Sequence, residues 1–152
     1  MTPGKLSRRV VSDRLSWIAQ MIAGIRALPL DDRAAFLADR RNVWAAESCL
    51  RRALEALLDL GRHILSKRFG VGVSEYKAIA AGLQERGVLG RREAELLQIM
   101  AGYRNRMVHF YHEIGPEELY QVCAHDLVDV EHIVEAYQTW LREHKEWLDE
   151  TL

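Results

Sequence analysis

The sequence predicts an all-α protein, a bundle of four to five main helices, and three observations lead there. Apolar residues recur at spacings of three and four over most of the 152 positions, the mark of helices with one buried face. Prolines and glycines punctuate that pattern at Pro29, at Gly70 and Gly72, at Gly90, and at Gly115 with Pro116. No stretch alternates apolar and polar residues long enough to make a useful strand, and there is no internal repeat or low-complexity segment. With 49% hydrophobic residues and three prolines, the composition suits a compact chain and argues against disorder. The length suits one domain spanning residues 1–152.

The elements follow in order. Val11, Leu15, Ile18, Ile22 and Ile25 define a first helix over residues 6–28. Pro29 stops it, because proline lacks a backbone donor and restricts the residue before it. Asp31 is placed to cap a short helix through residue 37. A long helix over residues 42–67 carries Trp44, Leu50, Leu54, Leu57, Leu58, Ile64 and Leu65 on its core side. Asp59 and His63, four apart, are spaced to pair on its surface. Gly70 and Gly72 break the pattern. Ser74 suits the cap of a helix through residue 86, closed by Gly87. After Gly90, Leu96, Leu97, Met100 and Met107 mark a helix that starts at Arg91 and runs into residues 103–113. Gly115 and Pro116 end that unit, and Pro116 suits the first position of a new helix. The last helix is the clearest. Leu127, Val130, Val134, Tyr137, Leu141, His144 and Leu148 recur at three and four, while Ile133, Trp140 and Trp147 repeat every seven. This is a packing seam, for the bundle core or for a second copy.

The net charge of −1 hides an asymmetry. Through His109 there are 19 Lys and Arg against 11 Asp and Glu; from Phe110 onward there are 2 against 11. A basic first part attracts nucleic acid or a nucleotide, unless the acidic last part neutralises it within the fold. No apolar run is long enough to cross a membrane, and residues 1–5 lead into a mixed charged stretch with no secretory pattern. Two cysteines, Cys49 and Cys123, both in helical patterns, read as buried free thiols in a reducing cytoplasm.

Several chemistries are missing. There is no glycine-rich phosphate loop with Lys-Ser/Thr, no Cys-x-x-Cys zinc spacing and no His-Glu-x-x-His. No histidine has a glutamate three residues before it, as bundle di-metal sites require. His109, His112 and Glu113 make only a thin metal set. No nucleophile-triad signature is present. One stretch stands apart, residues 103–113, where cationic, imidazole and phenol side chains crowd together. Its Arg104, Asn105, His109 and Tyr111 offer chemistry that needs no metal. Histidine moves a proton near neutral pH. Arginine stays charged and matches phosphate geometry. Together they fit RNA cleavage: His draws the proton from the ribose 2′-hydroxyl, which attacks the adjacent phosphorus, while Arg stabilises charge on the phosphoryl oxygens. The duller alternative is a packed polar helix, with Arg104 paired to an acid of the last helix.

Helical geometry complicates the site. On a straight helix Arg104 and His109 point about 140° apart, whereas Arg104 and Tyr111 fall within about 20°. Either the helix bends, or long side chains reach round, or two copies pair the stretch across a symmetry axis. With 17 Arg and 6 His in the chain, Arg followed five later by His is expected about 0.7 times by chance; a Tyr two further on lowers that to roughly 0.02. The fuller combination is therefore the informative one. Arg106 and His112 form a competing pair without a Tyr in the matching place.

Arg104-x4-His109-Phe110-Tyr111, with Asn105 after the Arg, resembles the Arg-x4-His-x-Tyr motif of HepT toxins, of the HEPN superfamily. The likeness extends to the helix order, to residues 58–63 (Leu-Asp-Leu-Gly-Arg-His) and to residues 114–120 (Ile-Gly-Pro-Glu-Glu-Leu-Tyr). The resemblance implies an all-helical homodimer whose two motifs form one metal-independent ribonuclease site. It implies a toxin–antitoxin pair whose antitoxin, an MntA-type minimal nucleotidyltransferase, attaches AMP to the motif tyrosine. Carried over, Arg104 and His109 are catalytic, Asn105 is supporting and Tyr111 is the AMP acceptor, with no cofactor. HEPN domains also serve as non-catalytic helpers of nucleotidyltransferases, so a nucleotide-binding helper is the alternative.

Overall fold

The computed structural model describes residues 4–109 and 114–150. Seven helices carry its described residues, four of them long: α1 (Arg8–Arg26), α3 (Arg40–Phe69), α5 (Arg91–Val108) and α7 (Leu127–Glu143). The shorter ones are α2 (Arg33–Ala38), α4 (Tyr76–Glu85) and α6 (Pro116–His125). The starts follow local capping chemistry. Ser7 caps α1 by accepting from the Val10 N–H, and Asp32, one residue beyond the expected Asp31, caps α2 through Ala35 N. Asp39 caps α3 through Arg41 N at 2.9 Å, so α3 starts two residues before the expected position. The cap of α4 is Glu75 and not Ser74, and no side chain closes that end. Pro116 opens α6 as expected. Gly70 (φ 66°) ends α3 in the left-handed conformation, with its N–H on Ser66 O and that of Val71 on Leu65 O.

The core is built round α3, which packs most extensively against α1 and also touches α2, α4, α5 and α6. Leu50, Leu54, Leu57, Leu58, Leu60, Ile64 and Leu65 are fully buried along it. One member of the expected core face is not: Trp44 is 62% exposed, because it lies near the start of α3. The α7 seam turns inward, with Leu127, Val130, Ile133, Tyr137, Trp140 and Leu141 buried, and packs on α5 and α6. That helix is shorter than its periodicity implies. It ends at Glu143; His144 leaves the helix, its Nδ1–H donating to Trp140 O at 2.8 Å and its ring stacking on Trp147 at 4.2 Å. A single turn over Lys145–Trp147 follows, and then Leu148–Asp149 (β2) pairs in parallel with Leu6–Ser7 (β1). Two residues per strand are too few to leave an alternating pattern in sequence.

The charge asymmetry is partly settled inside the fold. Arg8 pairs with Glu150, Arg26 with Glu131 at 2.8 Å, and Arg106 with Glu118 through both ends of its guanidinium. Each joins a basic residue of the first part to an acid of the last. All are substantially exposed and worth about 0–1 kcal/mol apiece. Cys49 and Cys123 are both free thiols; Cys123 is buried, but Cys49 is only partly so. Among the described residues no helix is long and apolar enough to cross a membrane.

Candidate functional site

The expected pairing of Asp59 with His63 does not form. Asp59 accepts from Tyr76 Oη at 2.9 Å and lies 3.5 Å from Arg62 Nη1. His63 instead accepts, at Nε2, the N–H of Ser7 at 3.2 Å. Desolvation, reinforced by Lys67 and Arg14, holds its pKa below the ordinary imidazole value, which suits a ring that must be neutral to accept. Spacing of four allowed the Asp59 pair, but tertiary partners on α4 and β1 took both residues.

Asp59, Arg62 and Glu55 line one side of α3: Glu55 and Arg62 are seven apart and so share a face. Against this face stands Arg104 of α5. Its Nη2 donates to Glu55 Oε2 at 3.1 Å and its Nη1 to Asn105 Oδ1 at 3.3 Å. Glu55 also takes Arg51 at 2.9 Å. The acid beside Arg104 is therefore on α3, not on the last helix. The Arg104 guanidinium also lies 4.5 Å from the centroid of the Tyr76 ring, at the start of α4, and that of Arg62 lies 4.7 Å from the same centroid. Desolvation and the bond to Asp59 push the Tyr76 hydroxyl up in pKa, so it remains a donor. Cation–ring contacts of this kind contribute about 0.5–2 kcal/mol each, more as water is excluded.

Helix α5 ends at the motif histidine. Val108 is its last residue, and His109 is extended (φ −101°, ψ 115°), its N–H still on Asn105 O at 3.1 Å. His109 thus remains hydrogen-bonded to the last turn of α5 while its own φ and ψ leave the helical region. Arg104, Asn105 and His109 all line one concave cleft of about 440 Å³, with Arg62, Tyr76 and Lys77 among its other walls. The competing Arg106 is engaged elsewhere, bonded to Glu118 of α6 at 2.6 and 2.7 Å. Tyr111 and His112 lie outside the described residues. Among the described residues no three His, Cys, Asp or Glu side chains are grouped to hold a metal ion.

Sequence reasoning missed Glu55, Arg62, Tyr76 and Lys77. The seven-residue spacing of Glu55 and Arg62 is a signal that was available. Tyr76 gives none, since it reaches the site through the Gly70–Gly72 connection and not by periodicity.

The fold is HEPN-like. It matches a tri-AMPylated Shewanella oneidensis HEPN toxin in complex with MNT antitoxin, with a TM-score of 0.77 at 22% identity over 86% of this chain and 97% of that one. A toxin–antitoxin structure with AMP-PNP gives 0.74 at 19% identity, covering 87% and 99%. YutE, a cytosolic protein of unknown function from Bacillus subtilis, gives 0.75 at 17% identity, covering 92% and 94%. No curated protein sequence matches the chain. The model of the HepT-like family, described as ribonuclease HepT-like, matches residues 18–137, and the chain belongs to that family.

Proposed function

We propose that this chain is the RNA-cleaving toxin of a toxin–antitoxin pair, with Arg104 and His109 as catalytic residues and Asn105 in support. The observation that carries it is that His109, the residue that follows α5, lines the same cleft as Arg104 and Asn105. His109 takes the 2′-hydroxyl proton; the 2′-oxygen attacks the adjacent phosphorus; the bond to the 5′-oxygen breaks, and that oxygen leaves with a proton. The products are a 2′,3′-cyclic phosphate and a 5′-hydroxyl end. Arg104, held by Glu55 and the Tyr76 ring, offers its remaining N–H groups to the phosphoryl oxygens. DNA, lacking the 2′-hydroxyl, is not a substrate. A homodimer supplies a second histidine as proton donor to the leaving oxygen, which makes the site composite. The partner is an MNT-type nucleotidyltransferase, and AMP on Tyr111, two residues beyond His109, obstructs the cleft.

Arg104→Ala and His109→Ala should each abolish RNA cleavage and growth arrest while circular dichroism and dimer mass stay unchanged. Cleavage should continue in EDTA. Cleavage that survives both substitutions removes the catalytic assignment. A second reading draws on the Glu55–Arg104 ion pair, which leaves a half-neutralised arginine suited to holding a nucleotide phosphate without cutting. Expressed alone, such a helper subunit is harmless, whereas the toxin arrests growth. Mass measured after co-expression with the nucleotidyltransferase should rise by one or more AMP units, and not in Tyr111→Phe.

A further inference from the structure

We propose that Arg62 forms a second phosphate-binding subsite in the cleft, holding a phosphodiester next to the one that Arg104 engages, so that the ligand is a single-stranded polynucleotide and not a mononucleotide. This rests on the nucleic-acid reading of the cleft and adds a residue that the Arg-x4-His-x-Tyr motif does not contain.

The argument begins with what Arg62 is doing at rest. Arginines committed to structure here make short, paired contacts: Arg106 meets Glu118 at 2.6 and 2.7 Å. Arg62 makes only long ones, 3.5 Å to Asp59 Oδ1 and 3.4 Å to Ser74 O, and its Nε has no hydrogen-bond partner among the described residues. Hydrogen bonds at that length sit at the weak edge of the distribution. Its side chain remains 37% exposed and lines the cleft. Yet the guanidinium is not loose, because the Tyr76 ring lies 4.7 Å from it and that ring is fixed by its own bond to Asp59. The group is oriented without its donors being consumed, which is how a phosphate-binding arginine is prepared.

Position supplies the rest. Arg62 and Arg104 lie 4.7 and 4.5 Å from one ring centroid, so the two guanidinium groups are at most about 9 Å apart. Bringing two cations together costs Coulomb energy, which Asp59 and Glu55 offset from behind. Lys77 adds a third cation to the lining; among the described residues Glu75 is the one acid that lines it. A lone phosphate needs one arginine fork. Two forks gathered about one ring fit neighbouring phosphates of a strand.

The test uses the full chain and a fluorescent, uncleavable 2′-O-methyl single-stranded oligonucleotide, with affinity measured against salt. Each phosphate contact on a single strand contributes about 0.7 to the slope of log K against log salt. Arg62→Ala should lower the slope by about that amount, Arg62→Lys should retain it, and Arg92→Ala, an exposed arginine outside the cleft, should leave it unchanged. AMP, carrying one phosphate, should bind Arg62→Ala as it binds the wild type. Arg62→Gln repeats the measurement if the alanine variant melts early. An unchanged slope in Arg62→Ala overturns the subsite while leaving the nucleic-acid reading intact. So does an equal loss of AMP affinity, which would put both arginines on one phosphate. Wild type that binds no oligonucleotide overturns both.

Discussion

Gly61→Ala tests how the scaffold beneath the site is packed. Gly61 lies in the middle of α3, between Asp59 and Arg62, and an added Cβ would stand 2.7 Å from Tyr137 Oη, 2.8 Å from Ile79 Cγ2 and 2.9 Å from Leu83 Cδ1. Carbon contacts settle near 3.5–4.0 Å, so groups on both α7 and α4 must retreat. None has space to do so: all three residues are fully buried. Tyr137 is further held by its hydroxyl, which donates to Leu57 O at 3.2 Å, one turn before Gly61. Overpacking of this sort costs about 1–3 kcal/mol, and a strained or broken hydrogen bond adds about 1 kcal/mol. The better helix propensity of alanine returns about 1 kcal/mol. The net expectation is a loss of about 1–3 kcal/mol, seen as a melting temperature lower by roughly 2–10 °C. Thermal unfolding followed by circular dichroism measures it. Gly102→Ala is the counterpart, because nothing lies within 4 Å of a Cβ added there; helix propensity then acts alone and stabilises by about 0.5–1 kcal/mol. Gly61→Ala melting at or above wild type refutes the packing argument.

Two further outcomes follow from titrating groups. Because the folded-state pKa of His63 lies below the ordinary 6.5, the unfolded chain takes up that proton at a higher pH than the folded chain. The stability this contributes is complete above about pH 6.5 and is lost as acid is added. Urea midpoints should fall between about pH 7 and 5, and fall less in His63→Gln, whose amide oxygen reaches the place of Nε2 and can accept the Ser7 N–H; identical profiles contradict the assignment. Cys123 is pushed up to about 12, by burial first and then by Cys49 and Asp126. It should resist alkylation in the native protein and react only on unfolding, so labelling at the same rate in buffer and in denaturant, read by mass spectrometry, counts against its burial.

The helices were readable because their apolar periodicity is also their packing. Ile18, Ile22 and Ile25 on α1, and Leu50, Leu54, Leu57 and Leu58 on α3, are buried as the spacing implies. The departures have more than one cause. His63 was spaced for Asp59 but went to a backbone N–H 56 residues earlier. Trp44 fits the stripe but sits beyond the neighbours that cover the rest of it. His144, Trp147 and Leu148 keep the period of α7, yet His144 stacking on Trp147 and the β1–β2 pairing replace the helix there. In the site, the motif gave Arg104, Asn105 and His109, while Glu55, Arg62 and Tyr76 come from two other elements that only the fold brings near.

The cleft divides its labour between rigid and extended backbone. Arg104 is on a helix, half-buried, with Glu55, Asn105 and the Tyr76 ring defining its direction. His109 is on the first extended residue after that helix, and exposed. No glycine marks this helix end; the run Met107-Val108-His109 holds β-branched and ring residues whose helix propensity is weak, and the bidentate bond from Arg106 to Glu118 anchors the final turn to α6. On the proposed reading, the phosphate-holding group is fixed on the helix and the proton-transferring group stands at its end. Glu55 and Asp59 meanwhile balance the two arginines at rest, so the cleft need not hold two bare cations while empty, and under the proposal an incoming phosphate would gain by exchange with carboxylates already in place.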